Sequence, residues 1–79
     1  MDIQIKTKYE LNQLVYVLYN NKIIIARIID IYTTIHEMEN HIDIIIKYYL
    51  VDFDNKTHRL GYYHEENIFD TKKQLLESL

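Results

Sequence analysis

The chain has no cysteine, no proline, no tryptophan and a single glycine, Gly61. Without cysteine it can form neither a disulfide nor a thiolate metal centre. Without proline, and with one glycine, it is not collagen-like, polyproline-like or a flexible linker. One glycine also cannot build a phosphate-cradling loop or a dinucleotide fingerprint, each of which needs several. Alanine, the best helix former, occurs once, as Ala26. No apolar run approaches the roughly 18 residues of a spanning helix. The longest aliphatic stretches without tyrosine include Ile23–Ala26 and Ile44–Ile46, of four and three residues. Met1 to Lys6 lacks the apolar stretch of a signal peptide. The expectation is a cytoplasmic chain with no membrane partner.

What is present favours strands. The 79 residues are 48% hydrophobic, too apolar for a disordered chain. Area scaling for this mass gives about 5,100 Å² of folded surface, enough for one small core and no deep cofactor cleft. Ile, Val, Thr and Tyr dominate, and these suit a pleated surface. The abundant Ile, Lys, Asn and Tyr use AT-rich codons, which fits a low-GC bacterium or its phage as the source. The net charge of −3 argues against a generic DNA-coating protein.

Residues 1–8 alternate weakly and read as a short edge strand or a loose arm. Leu14–Tyr19 reads as the first firm strand. Asn20-Asn21-Lys22 is a polar break, and Asn tolerates the positive φ of a hairpin turn. Ile23–Tyr32 is the second strand, and Thr33–Asn40 a polar connection or a frayed continuation. Ile42–Phe53 is a long third strand, Asp54-Asn55-Lys56 a turn, and Thr57–Tyr63 a fourth strand. His64–Asn67 suggests one helical turn and Ile68-Phe69 a brief fifth strand. Thr71-Lys72-Lys73-Gln74 matches a capping box. It opens a helix over 71–79 whose Leu75, Leu76 and Leu79 should dock on the sheet. Alternation places Val15, Val17, Ile24, Ala26, Ile28, Ile44, Ile46, Tyr48 and Leu50 in the core.

This pattern predicts a mainly β fold, a small five-stranded antiparallel barrel with a short C-terminal helix. Tyr9-x-Leu11-Asn12-Gln13-x-Val15-Tyr16-Val17 resembles the opening of Src-homology-type and Tudor-like small barrels of bacteria, phages and mobile elements. These commonly close with a segment similar to Tyr62-x-x-Glu65-x-x-Ile68-Phe69-x-Thr71-Lys72-x-x-Leu75-Leu76. The resemblance spans residues 9–79 as one SH3-like domain and departs at Asn12-Gln13, where the family has Gly-Asp. It implies a small binding module more than a particular function.

Candidate chemistry is sparse. His36 and His41 flank Glu37 and Glu39, but the spacing matches no zinc pattern, so they read as surface residues and no metal or cofactor is expected. Asp52/Asp54 and Glu65/Glu66 could do acid–base work only if burial shifted one of them. Bracing of a turn is the plainer reading for the first pair. With no nucleophile motif, the chain is read as a non-enzyme. Among the eight tyrosines, Tyr49, Tyr62 and Tyr63 with Asp52 could resemble a cage for a cation, or could simply pack the sheet. Stacking on bases would need a basic groove, and the nine cations scatter along the chain.

The outward residue set still holds Leu14, Tyr16, Leu18, Ile23, Ile25, Ile29, Ile45 and Tyr49. Uncovered apolar patches of this size mark contact sites. The expectation is therefore a protein-binding module, an accessory protein that occludes a host or defence protein as anti-CRISPR proteins do. Tyr16, Ile25 and Tyr49 would form the contact, and Glu37, Glu39 and Asp43 would steer a basic partner. The partner is another protein, a second copy in a homodimer, or both. The alternative is a barrel that binds nucleic acid or, between subunits, a small nucleotide.

Overall fold

The computed structural model describes residues 5–79. Four strands follow in order: β1 Leu14–Tyr19, β2 Lys22–Met38, β3 His41–Asp52 and β4 Arg59–His64. A 3-10 turn, Glu65–Asn67, and one helix, α1 Lys72–Glu77, complete the chain. The sheet is antiparallel throughout, with strands in sequence order. Asn20 and Asn21 both take positive φ (49° and 63°) in the β1–β2 turn, as a two-residue hairpin requires. At the β3–β4 turn Asp54 N–H donates to Asp52 Oδ1 at 2.9 Å, and Thr57 N–H donates to Asn55 Oδ1 at 3.2 Å.

The mainly β class and the terminal helix are as expected; the five-stranded closure is not seen. Ile68-Phe69 is no strand. Phe69 makes a single bridge to Tyr16 of β1, with both backbone bonds present at 2.8 and 3.0 Å. The sheet is therefore open, touched at one point by the chain that follows β4. Of the N-terminal segment, residues 5–8 belong to no strand, and the expectation for 1–4 lies outside the described residues.

The largest departure is the β2–β3 hairpin. Of the two readings of Thr33–Asn40 the continuation holds, and without fraying: Thr33–Met38 extends β2, because Thr33, Thr34 and Ile35 are β-branched and no turn residue intervenes before Asn40. β1 covers the edge of β2 only up to Arg27, and β4 covers β3 only from Lys47. Asn12 and Gln13 still bond Ile28; beyond it, among the described residues, the hairpin runs on as a two-stranded ribbon. The longest extent is 42 Å and the radius of gyration 14.1 Å, against about 11.6 Å for a compact chain of this length.

Two irregularities set the faces. A bulge between Ile28 and Asp30 leaves Ile29 without a partner on β3. Before it the even residues of β2 face inward, and after it the odd ones do. A second shift, between Leu50 and Val51, lets β4 take in Leu60 as an extra residue. The single glycine, Gly61, sits beside it at φ 99°, a conformation that costs glycine little.

Val15, Val17, Ala26, Ile28, Tyr48 and Leu50 are fully buried, as expected, and Ile24 and Ile46 pack partly buried against them. Ile44 does not belong to the core: it is 43% exposed, because it lies on the ribbon beyond the body. Tyr9, Leu60 and Ile68 complete the core cluster.

α1 packs on β1. Thr71 caps it by accepting from Gln74 N–H at 3.1 Å. Only Leu75 docks. Leu76 and Leu79 are exposed, because six residues make under two turns and give one inward position. Thr71→Ala is expected to lose about 1 kcal/mol, read as a lower midpoint in urea unfolding at unchanged slope. A midpoint that does not move would mean the helix carries no stability.

Candidate functional site

The structure separates the residues expected to act together. Tyr16 and Ile25 are direct cross-strand partners on the outer face. Tyr49 and Asp43 lie on the same face of β3, farther toward the ribbon. Glu37 pairs with Ile42 on the opposite face, and Glu39 sits in the turn before β3. The three carboxylates thus form no single acidic patch. Asp43 instead faces His36 across the ribbon and lies 3.5 Å from His41 Nε2. The bulge at Ile29 is the cause, since it reverses the alternation of β2 beyond it.

The expected apolar patch is also divided. Arg27, Val51 and Arg59 stand side by side across β2, β3 and β4. This row parts Tyr16 and Ile25 from Tyr49. Val51 is buried at its centre. With Ile29, Asp52, Phe53 and Lys56, these residues line a groove of about 370 Å³. Lys56 and Arg59 are three residues apart, but Arg27 is distant in sequence, so no local motif signals the meeting of all three.

Beside the row lies an aromatic cluster that differs from the expected cage. Tyr62 packs edge-on against both Tyr32 and Tyr49, at 5.1 and 4.7 Å between ring centres. Arg59 lies over the Tyr49 ring at 5.8 Å. Tyr63 is not a member. It points to the inner face and donates to the Leu18 carbonyl at 3.1 Å. Asp52 is turned toward the turn, 3.6 Å from His58 Nδ1. The Tyr32 hydroxyl is pushed up to about 12, first by the neighbouring Tyr62 hydroxyl and then by Asp30.

The ribbon carries apolar side chains on both faces. Ile35, Ile42 and Ile44 line one face and are 44%, 47% and 43% exposed. Tyr32, Met38 and Ile45 are exposed on the other. The sequence placed Ile45 outward and left Thr33–Asn40 as a connection or a frayed continuation of the second strand, but it took Ile44 as core, so an exposed ribbon was not foreseen.

His36, His41, Glu37 and Glu39 alternate between faces and turn. Among the described residues no group of three or more His, Asp or Glu side chains converges as metal ligands would. Glu65 does more than the sequence indicated: it accepts from Tyr48 Oη at 2.5 Å and from Lys8 N–H at 3.1 Å. Among the described residues no helix is long and apolar enough to cross a membrane. Comparison with known proteins brings no match: no family model fits the chain, and no curated protein or solved structure is significantly similar to it.

Proposed function

We propose that the chain is a small non-enzymatic protein-binding module whose β2–β3 ribbon is the docking element, and that the first occupant of the ribbon is a second copy of the chain. The observation that carries this reading is the ribbon itself. A two-stranded hairpin is marginal in water unless a third strand or a packed face supports it. This one exposes isoleucine and, among the described residues, its backbone edges have no strand partner over 29–38 and 42–46. Such edges are templates for strand addition.

The free edge of β2 is the longer, and it complements itself. In a symmetric antiparallel pair one residue must face its own copy on the two-fold axis. With Thr33 on the axis, Ile31 meets Ile35, Tyr32 meets Thr34, and Asp30 meets His36, each pair formed twice. The apolar pairs fall on one face and the carboxylate–imidazole pairs on the other. Shifting the axis to Thr34 would set Ile31 against Glu37 and Asp30 against Met38. The β3 edge offers only five residues and sets Asp43 against Ile45.

A paired ribbon would present Ile35, Ile42 and Ile44 of both copies on one side, where a host or defence protein could be occluded. Small size and AT-rich composition support the reading of a phage or mobile-element accessory protein. The resemblance to Src-homology-type and Tudor-like barrels gains support from Asn12, whose φ of 70° is a glycine-like conformation at the position where that family has glycine. The Tyr16–Phe69 bridge also suits a sheet that curls toward closure.

The test is sedimentation at micromolar concentration, paired with cross-linking. The chain lacks cysteine, so Thr33→Cys introduces a unique thiol at the axis. It is expected to form a disulfide-linked dimer at least tenfold faster than Asn55→Cys in the distant turn. A monomer in which both variants cross-link at the same rate would sink the two-fold ribbon.

A further inference from the structure

The outer-face groove offers different chemistry from the ribbon and lies within one copy, so it is independent of the pairing above. Its charges are Arg27 and Arg59 on either side of the buried Val51, with Lys56 from the β3–β4 turn. Among the described residues, none of these three cations has a carboxylate within 4 Å of its charged nitrogens. The one acidic side chain in the lining, Asp52, is held by Asp54 N–H and faces His58. A chain of net charge −3 thus concentrates three uncompensated cations, a third of its total, around one groove.

Aromatic surface adjoins the groove. Phe53 is part of the lining, and Tyr62 is 55% exposed. Tyr49, already covered by Arg59, ties Tyr62 to the row. Cations that take phosphates beside rings that take bases are the two elements of a single-strand site. Guanidinium groups also suit phosphate oxygens because they donate in a planar fork. More than one accessible ring lies along the face, which suits several successive bases better than one.

We propose that this face binds single-stranded nucleic acid, with backbone phosphates at Arg27, Lys56 and Arg59 and bases stacked on Phe53 and Tyr62. The recognition is independent of sequence, because every base has a π-face. Three phosphate contacts on a single strand give a log–log salt dependence of slope about −2.

The experiment is fluorescence anisotropy of a labelled oligothymidylate with the intact chain, across a salt series. Parallel arms use inorganic phosphate and a thymidine nucleotide as competitors. Arg27→Glu and Lys56→Glu are expected to weaken strand binding at least tenfold each. Arg59→Gln and Tyr62→Ala are expected to weaken it about fivefold or more. Lys72→Glu on α1 makes the same charge change away from the face and is expected to alter affinity less than twofold. Circular dichroism of each variant separates lost binding from lost folding. Because Tyr62→Ala leaves the charge unchanged, its effect distinguishes stacking from attraction of charge alone. Absence of strand binding at low salt, an equal loss with Lys72→Glu, or a mononucleotide that competes as well as the strand would each overturn the proposal. None of these outcomes bears on whether the ribbon pairs.

Discussion

Replacing Tyr9 by alanine is expected to remove about 3–5 kcal/mol of folding stability, the range for truncating a large buried aromatic. A chain of this length has roughly 4–12 kcal/mol in all, so a sizeable unfolded population should appear. Tyr9 lies ahead of β1, yet it is fully buried and central to the core. Its ring meets Tyr48 edge-on at 5.5 Å. Its hydroxyl donates to the Ile68 carbonyl at 2.7 Å, and its N–H donates to Tyr48 Oη at 3.3 Å. One residue therefore joins the segment before the sheet to the segment after it. That join matters because Tyr16–Phe69 is the one backbone bridge there among the described residues. Tyr9→Phe keeps the ring and removes only the donor, leaving the Ile68 carbonyl buried without its partner. Its expected loss is about 1–2 kcal/mol. Urea unfolding of the three proteins checks both values. A Tyr9→Ala midpoint within error of the parent would show that the N-terminal segment does not pack as described.

Alternation and turn chemistry made most of the sheet legible. β1 and the centre of β3 bury alternate residues, Arg27, Asp43 and Lys47 mark the outward sets of β2 and β3, and the Asn20-Asn21 turn is marked by the residues that tolerate its φ. The bulge at Ile29 was not legible, because Ile28 and Ile29 are identical and an inserted residue leaves no compositional trace. Everything beyond it on β2 consequently changed face, and the expected grouping of Glu37 with Asp43 was lost. The ribbon was hidden for a related reason. A strand reads the same in sequence whether or not a neighbour covers its edge, and the lengths of β1 and β4 decide that. Arg27 joins the neighbouring Lys56 and Arg59 only through the register of three strands. Tyr9 carried a faint signal, an aromatic at the head of the small-barrel motif, but its distance from the first firm strand concealed its place in the core.

Stability is expected to fall between about pH 10 and 12, and Tyr48 is the main cause. Burial, and then its hydrogen bond to Glu65, push the Tyr48 hydroxyl up to about 12, from an unfolded value near 10. Below pH 10 both folded and unfolded chains keep the proton, and the native state has its full advantage. As pH rises from 10 to 12 the unfolded phenol ionises while the native one does not. The unfolded state then binds fewer protons, so each step in pH favours unfolding. Above 12 both forms are ionised and the loss ends. A shift of this size is worth about 2–3 kcal/mol. Tyr9 and Tyr63 are shifted in the same direction, chiefly by burial, and they steepen the fall; Tyr32, raised by Tyr62 and Asp30, adds less because it is exposed and screened by water. Tyr48→Phe separates the contributions. It lowers stability at neutral pH, because Glu65 and the Tyr9 N–H lose their partner. Its alkaline slope should nonetheless be distinctly shallower than that of the parent. Urea unfolding at pH 8, 10 and 11.5 measures both slopes. Parallel decline in the two proteins would mean that the Tyr48 proton is not held by the fold, and that the Tyr9–Tyr48–Glu65 contacts do not join the N-terminal segment to the sheet.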